Sequence, residues 1–243
     1  MDRLDTELAG YMIVISNYLN SLGALAMSDK PVRKRLGVDQ QREEIIHATL
    51  DLAASHGVDK VTTRNIAQTM GVAQSTVFRH FLSKDAIWLA VMQWVRDRLL
   101  GGLGRAAGQG RDPLDALQRM FFAHIAFIAA HPAIPRILTS EHLHGGSTVL
   151  RRLVTEIMLD YETKIAGLLT DARAQGQARA DLDVHAAATL YLGMIQGLVL
   201  QTSILHGQRT LTTRTLAMEA VRIFPVFLDA LRVPPVSSRR AVL

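Results

Sequence analysis

Glu141, His142 and His144, with His124 upstream, bring together the carboxylate and imidazole groups that can bind a divalent metal. Their spacing argues against that chemistry, because the chain has no pair of histidines four apart on a helix and nothing fixes a coordination geometry. They read as surface or helix-end histidines. The stretch His144–Ser147 (HGGS) mimics a hydrolase oxyanion turn, but there is no G-x-S-x-G nucleophile elbow, so it reads as a loop and a helix cap. Gly102, Gly104 and Gly108 loosely fit a dinucleotide fingerprint, yet a helical pattern precedes them where that fingerprint needs a strand. No nucleophile, base and orienter come together, so no enzyme activity, catalytic residue, metal or cofactor is expected.

The remaining concentration of polar groups lies in TTRNIAQTMGVAQSTVFRHFLSKDAI, Thr62–Ile87. Thr62 offers an N-cap oxygen to a helix carrying Ile66, Ala67 and Met70, and Gly71 stops that helix with the left-handed conformation a tight turn needs. A second short helix, 74–81, buries Val77 and Phe81 and leaves Gln74, Ser75, Thr76, Arg79 and His80 mostly outside. Ser83 caps the next helix, with Asp85 in its first turn. Upstream, Asp39 can cap a helix whose Ile45, Ile46, Leu50, Ala53 and Ala54 share one face and which ends at Gly57. A helix as short as 74–81 does not stand alone in water; its neighbours must carry it, which leaves its outer face to be presented to something. In a helix-turn-helix that face enters the DNA major groove, with polar side chains near its N-terminus at base edges.

The segment TTRNIAQTMGVAQSTVFRHFLSK resembles the DNA-binding signature of the TetR family of bacterial transcriptional regulators (TetR/AcrR type). The resemblance holds at motif level from Asp39 to about Met92, and beyond that only in architecture: family members follow this domain with a larger helical domain that binds an inducer and dimerises. It implies that Arg64 and Gln74 face base edges with Ser75, Thr76 and Arg79 beside them, Arg suiting guanine and Gln adenine by bidentate geometry. It also implies that Thr63, His80 and Lys84 hold phosphates, which sets register without reading sequence. Two residues depart from the family pattern. Phe78 stands where most members have tyrosine, removing a hydroxyl that could bond a phosphate, and Ala73 stands where Ser or Thr often caps the recognition helix. The basic run Lys30, Arg33, Lys34, Arg35 resembles the arms some members lay in the minor groove, and reads equally as a solvated charged linker.

Composition agrees with such a fold. Hydrophobic residues make up 49% of the chain but aromatics only 5%, so the core is built from Leu, Ile, Val, Ala and Met, a mix that favours helices. The expected class is all-α: an extension over 1–38, a three-helix DNA-binding domain over 39–84, a larger helical effector-binding and dimerisation domain over 85–232, and a disordered tail over 233–243. The absence of cysteine excludes disulfides and thiolate chemistry and permits a cytoplasmic protein; the net charge of +5 suits an acidic partner. Leu8–Met27 contains no charged residue and reaches membrane-spanning length, but Ser16, Asn17, Asn20 and Ser21 interrupt it and the preceding MDRLDTE is net acidic. It reads as an added helix or an extension, with Met27 as a possible second start.

Further along, a long fourth helix carrying Trp88 and Trp94 runs into GGLGRAAGQGRD, which reads as a mobile connection. Asp112 caps and Pro113 opens a helix through His131, Pro132 breaks it, and a short helix reaches Leu143. Long helices follow from Ser147 to Gly176, from Val184 to His206 after Asp183, and from about Leu211 to Leu231. The last two are the dimer candidates, through Leu190, Gly193, Met194, Gly197 and Leu198 on one and Val221, Phe224, Phe227 and Leu228 on the other. Monomer core is the usual reading of such apolar stripes, but one short helix reads few base pairs while two related by a twofold axis read a palindrome, which favours the dimer. An apolar effector cavity could be lined by Phe121, Phe122, Ile125, Phe127 and Ile128 with Trp88, Met92, Met158, Tyr161 and Tyr191, and oriented by His124, Glu162 and Gln196.

The whole implies a repressor that binds a palindromic operator as a homodimer and is released by a small-molecule effector. Two readings compete with it: a membrane-associated regulator or adaptor held by residues 8–27, and a ligand-binding helical bundle with a vestigial helix-turn-helix.

Overall fold

The computed structural model describes residues 37–140, 147–206 and 213–232. The apolar segment 8–27, the basic run 30–35, Glu141, His142, His144 and the tail 233–243 lie outside them. All regular structure among the described residues is helical: α1 (Val38–His56), a 3-10 turn (Val58–Lys60), α2 (Thr63–Met70), α3 (Gln74–His80), α4 (Lys84–Gly108), α5 (Pro113–Ala130), α6 (Ala133–Leu138), α7 (Thr148–Ala174), α8 (Val184–His206) and α9 (Thr213–Leu231).

Local signals set most helix starts. The side chains of Thr62, Ser83, Asp112, Ser147 and Asp183 each accept a hydrogen bond from the backbone N–H three residues on, satisfying one of the orphan donors of a first turn. Helix α2 ends at Gly71 with φ 65°, where the N–H of Val72 returns to the Ala67 carbonyl at 3.0 Å. Asp39 is not a cap: α1 begins at Val38 behind Gly37, and Asp39 lies in the first turn, where its charge still suits the helix dipole.

Helices α1–α3 close around Ile45, Ala53, Val61, Ile66 and Val77, all fully buried. Helix α4, roughly 38 Å long at 1.5 Å per residue, continues from that cluster into the rest of the molecule. There α5 is central, packed against α4, α7 and α9 and burying Leu117, Met120, Phe121, Phe122, Ile125 and Phe127. Buried apolar residues form one continuous cluster from Ile45 to Leu231.

The glycine-rich stretch departs from expectation. Residues 101–108 are the last two turns of α4, and the connection to α5 shrinks to 109–112. Leu103 is fully buried with Gly102 beside it, and this tertiary contact outweighs the helix-breaking tendency of four glycines, about 1 kcal/mol each. Helix α6 likewise stops at Leu138, short of Leu143.

Candidate nucleic-acid interface

Helix α3 is two turns long and is held from behind. Val77 and Phe81 anchor it in the α1–α3 core. Nη1 of Arg42 donates to the His80 carbonyl at 2.8 Å, while its guanidinium lies 4.4 Å over the Phe81 ring. A cation at the last carbonyls of a helix also suits the helix dipole.

The outer face carries the residues expected at DNA. Arg64, Ser75 and Arg79 are exposed; Thr63, Gln74, Thr76 and Lys84 are half-buried. Nε2 of Gln74 donates to Oγ1 of Thr63 at 2.9 Å, joining the first residue of α3 to the first residue of α2. Nη2 of Arg79 donates to Oγ1 of Thr76 at 3.2 Å. Phe78 is 44% exposed, so its ring lies on the outer face without a hydroxyl. Ala73 supplies no side-chain cap to α3, as its type dictates. His80 differs from expectation. Its ring is half-buried with Nε2 2.8 Å from Oε1 of Gln41, so it braces α3 against α1 and is not turned out toward a phosphate. Gln41 and Arg42 went unnoticed in the sequence because their partner lies 39 or 38 positions away and leaves no local pattern.

Helix α4 ties this face to the larger part. Nη2 of Arg98 donates to Oε1 of Glu43 on α1 at 2.9 Å, and two residues earlier Nη2 of Arg96 donates to Oδ2 of Asp160 on α7 at 2.7 Å. The Trp94 ring sits edge-on between His47 of α1 and His131, 5.2 Å from each, and Arg136 donates to the Ala54 carbonyl. Burial lowers the His131 imidazole below its usual range.

In the larger part, the residues expected to line a cavity fill space. Trp88, Met92, Phe121, Ile125, Ile128, Tyr161 and Tyr191 are buried, with Phe121 packed on Tyr191 at 5.6 Å and on Phe224 at 4.8 Å. Met158 and Glu162 are half-buried on α7, and Gln196 points to solvent on α8, so it cannot orient a ligand inside. His124, Tyr161 and Tyr191 do come together. Tyr191 donates to the Leu117 carbonyl at 3.2 Å, Tyr161 donates to the Tyr191 hydroxyl at 3.4 Å, and Nδ1 of His124 lies 3.2 Å from the Tyr161 hydroxyl. With the Tyr161 proton committed, Nδ1 of His124 is the donor of that contact. Burial pushes His124 down to about 4 and both tyrosines well up, so the chain is neutral. Two surface grooves lie elsewhere. One of about 630 Å³ is lined by Arg96, Asp97, Leu100, Gly101, Asp160, Thr163 and Lys164, and one of about 570 Å³ lies where α7 meets the start of α8.

The expected dimer residues divide. Leu198, Val221, Phe224, Phe227 and Leu228 are buried within the monomer, so that half of the assignment is corrected. The outward face of α8 carries Leu190 (55% exposed), Gly193, Met194, Gly197 and Leu200, and that of α9 carries Met218 and Val226 (71% exposed). A Cβ on Gly193 or Gly197 would meet nothing within 4 Å.

Comparison with known proteins agrees with this architecture. Residues 45–91 match the family described as bacterial regulatory proteins, tetR family. The nucleoid occlusion factor SlmA of Vibrio cholerae is 24% identical over 158 residues, 65% of this chain and 81% of that protein. The fatty acid degradation regulator FadR from Bacillus halodurans superposes with a TM-score of 0.68 at 21% identity, over 83% of this chain and all of that one. The regulator FadR from Bacillus subtilis, solved in complex with stearoyl-CoA, gives 0.65 at 20% identity, over 78% of this chain and 99% of that one. With residues 45–91 matched in sequence and the all-helical body matched in fold, the chain carries a helix-turn-helix of the tetR family of bacterial regulatory proteins and has that family's DNA-binding regulator fold.

Proposed function

We propose that the protein is a cytoplasmic transcriptional repressor that binds a palindromic operator as a homodimer and leaves it when a small molecule binds the larger domain. One observation carries the reading: α3 is fixed from behind by Arg42, Val77 and Phe81 while Gln74, Ser75 and Arg79 stand on the opposite side, the arrangement a reader of base edges needs. Arg64 and Gln74 read bases, and Thr63 and Lys84 hold phosphates. A single short helix reads few base pairs, and the outward apolar face of α8, with two glycines open to close approach, supports a twofold partner.

Functionally the chain divides near Lys84, with α4 as the link. Effector binding at the His124–Tyr161–Tyr191 chain would part α5, α7 and α8, and α4, bonded to α7 by Arg96 and to α1 by Arg98, carries the displacement to α1. The Bacillus subtilis FadR, a regulator of similar fold solved in complex with stearoyl-CoA, supports a small-molecule effector. The effector needs only to prefer the DNA-incompetent state.

Selection of bound sequences from a random duplex library with purified full-length protein tests this, followed by titration of the enriched sequence at several salt concentrations. A palindromic consensus with a steep salt slope is expected. A folded protein that enriches nothing refutes the reading. The likeness to SlmA favours a second one, a nucleoid occlusion factor. Mapping of bound sites across the chromosome separates the two: a few promoter sites support the repressor, and many dispersed sites the other.

A further inference from the structure

Two threonines open α2, and they do different things. Thr62 caps the helix, its Oγ1 accepting from the Asn65 N–H at 3.1 Å. Thr63 plays no part in that cap; its Oγ1 accepts a hydrogen bond from Nε2 of Gln74 at 2.9 Å, across the turn. Both partners are half-buried. A free glutamine has many rotamers to lose on binding, and this bond restricts them beforehand.

The donor and acceptor count then decides what Gln74 can read. An amide has two N–H groups and one carbonyl oxygen, and a hydroxyl has one O–H and two lone pairs. With one N–H given to Thr63, Gln74 keeps one N–H and Oε1 side by side, a donor beside an acceptor. Adenine presents the complement in the major groove, an acceptor at N7 and a donor at N6; guanine presents two acceptors and would leave Oε1 facing O6. The Thr63 hydroxyl, having accepted, still has its own proton to donate to a phosphate oxygen. We propose that Thr63 is a positioning residue for base readout, holding the Gln74 amide in the orientation that selects adenine and linking that choice to the phosphate that sets register. This rests on the DNA-binding reading above.

The test uses full-length wild type and the variants Gln74→Ala, Thr63→Val and Thr63→Ser, each selected on the random library and titrated on the winning duplex, on single-base changes of it and on random DNA. Wild type should select an adenine in each half-site whose preference disappears in Gln74→Ala. Thr63→Val, nearly isosteric but without the hydroxyl, should lose about tenfold in preference for that adenine, with preferences elsewhere unchanged. Thr63→Ser should retain it. Loss of affinity by Thr63→Val equally on all sequences, adenine preference intact, overturns the proposal and leaves Thr63 as a phosphate contact alone. A guanine at the Gln74-dependent position overturns it too, since the amide would then present both N–H groups with Oε1 turned to the threonine. If folded wild type enriches no sequence, the DNA-binding reading fails and the positioning role falls with it; the other two outcomes leave that reading standing. Thermal melts of each variant separate loss of fold from loss of preference.

Discussion

Nε2 of His80, the last residue of α3, lies 2.8 Å from Oε1 of Gln41 on α1. An amide oxygen can only accept, so the imidazole carries its proton on Nε2 and donates it inward. A residue expected at a phosphate instead holds the recognition helix to its support. Gln41→Ala should cost about 1 kcal/mol of stability, read by urea unfolding. His80→Ala should leave the salt slope of DNA binding at the wild-type value, and a fall of about one in that slope would return His80 to the phosphates.

Base readers and phosphate holders should separate in binding data. Arg64→Ala and Gln74→Ala should relax base preference, each costing about 1 to 3 kcal/mol on the operator and little on random DNA. Lys84→Ala should weaken all sequences alike and flatten the salt slope. Equal losses on operator and random DNA from Gln74→Ala would remove it from base readout.

Phe78 offers a gain. Its ring is on the outer face, 44% exposed, and Phe78→Tyr would place a hydroxyl there. Affinity should rise by about 0.5 to 1.5 kcal/mol without any change in the selected sequence. A changed consensus would mean that position 78 touches bases.

Stability should depend on pH through His124. Folded, burial lowers its imidazole from 6.5 to about 4, so the group stays neutral where the unfolded chain takes up a proton. Stability is then complete above about pH 6.5 and declines as pH falls toward 4, by up to about 3 kcal/mol at about 1.4 kcal/mol per unit. In His124→Gln the decline over that window should be shallower by one proton; an unchanged slope would show that His124 is charged in the native chain.

Two glycines near the α4–α5 connection should respond oppositely to alanine. Gly104 is exposed inside α4 with nothing within 4 Å of an added Cβ, so Gly104→Ala should stabilise by roughly 0.8 kcal/mol. At Gly110 a Cβ would meet the backbone of Ala116 at 2.6 Å, so Gly110→Ala should destabilise by about 1 to 3 kcal/mol. Thermal melts decide both, and destabilisation by Gly104→Ala would contradict a helix running through 101–108.

What the sequence determined on its own was local. Thr62, Ser83, Asp112, Ser147 and Asp183 cap where their types say they should, because a cap is a bond between residues three apart, and Gly71 turns the chain because only a residue without Cβ takes that conformation freely. The recognition helix was legible for the same reason: the caps Thr62 and Ser83 of the helices on either side of it, the Gly71 turn and the core residues Val77 and Phe81 all lie within one short stretch.

Tertiary structure alone decided what covers each apolar stripe. Periodicity puts Phe224, Phe227 and Leu228 on helix faces but does not say whether the cover is a partner chain or α5, and here the aromatic cluster around Phe121 buries Phe224 inside the monomer. It decided that the four glycines in 101–108 stay helical, because Leu103 anchors that turn in the core. It also turned His80 inward to Gln41 and joined Arg98 to Glu43 and Arg96 to Asp160. Those pairs are 39 to 64 positions apart in the chain, and only the packing of α1, α3, α4 and α7 brings them within a hydrogen bond.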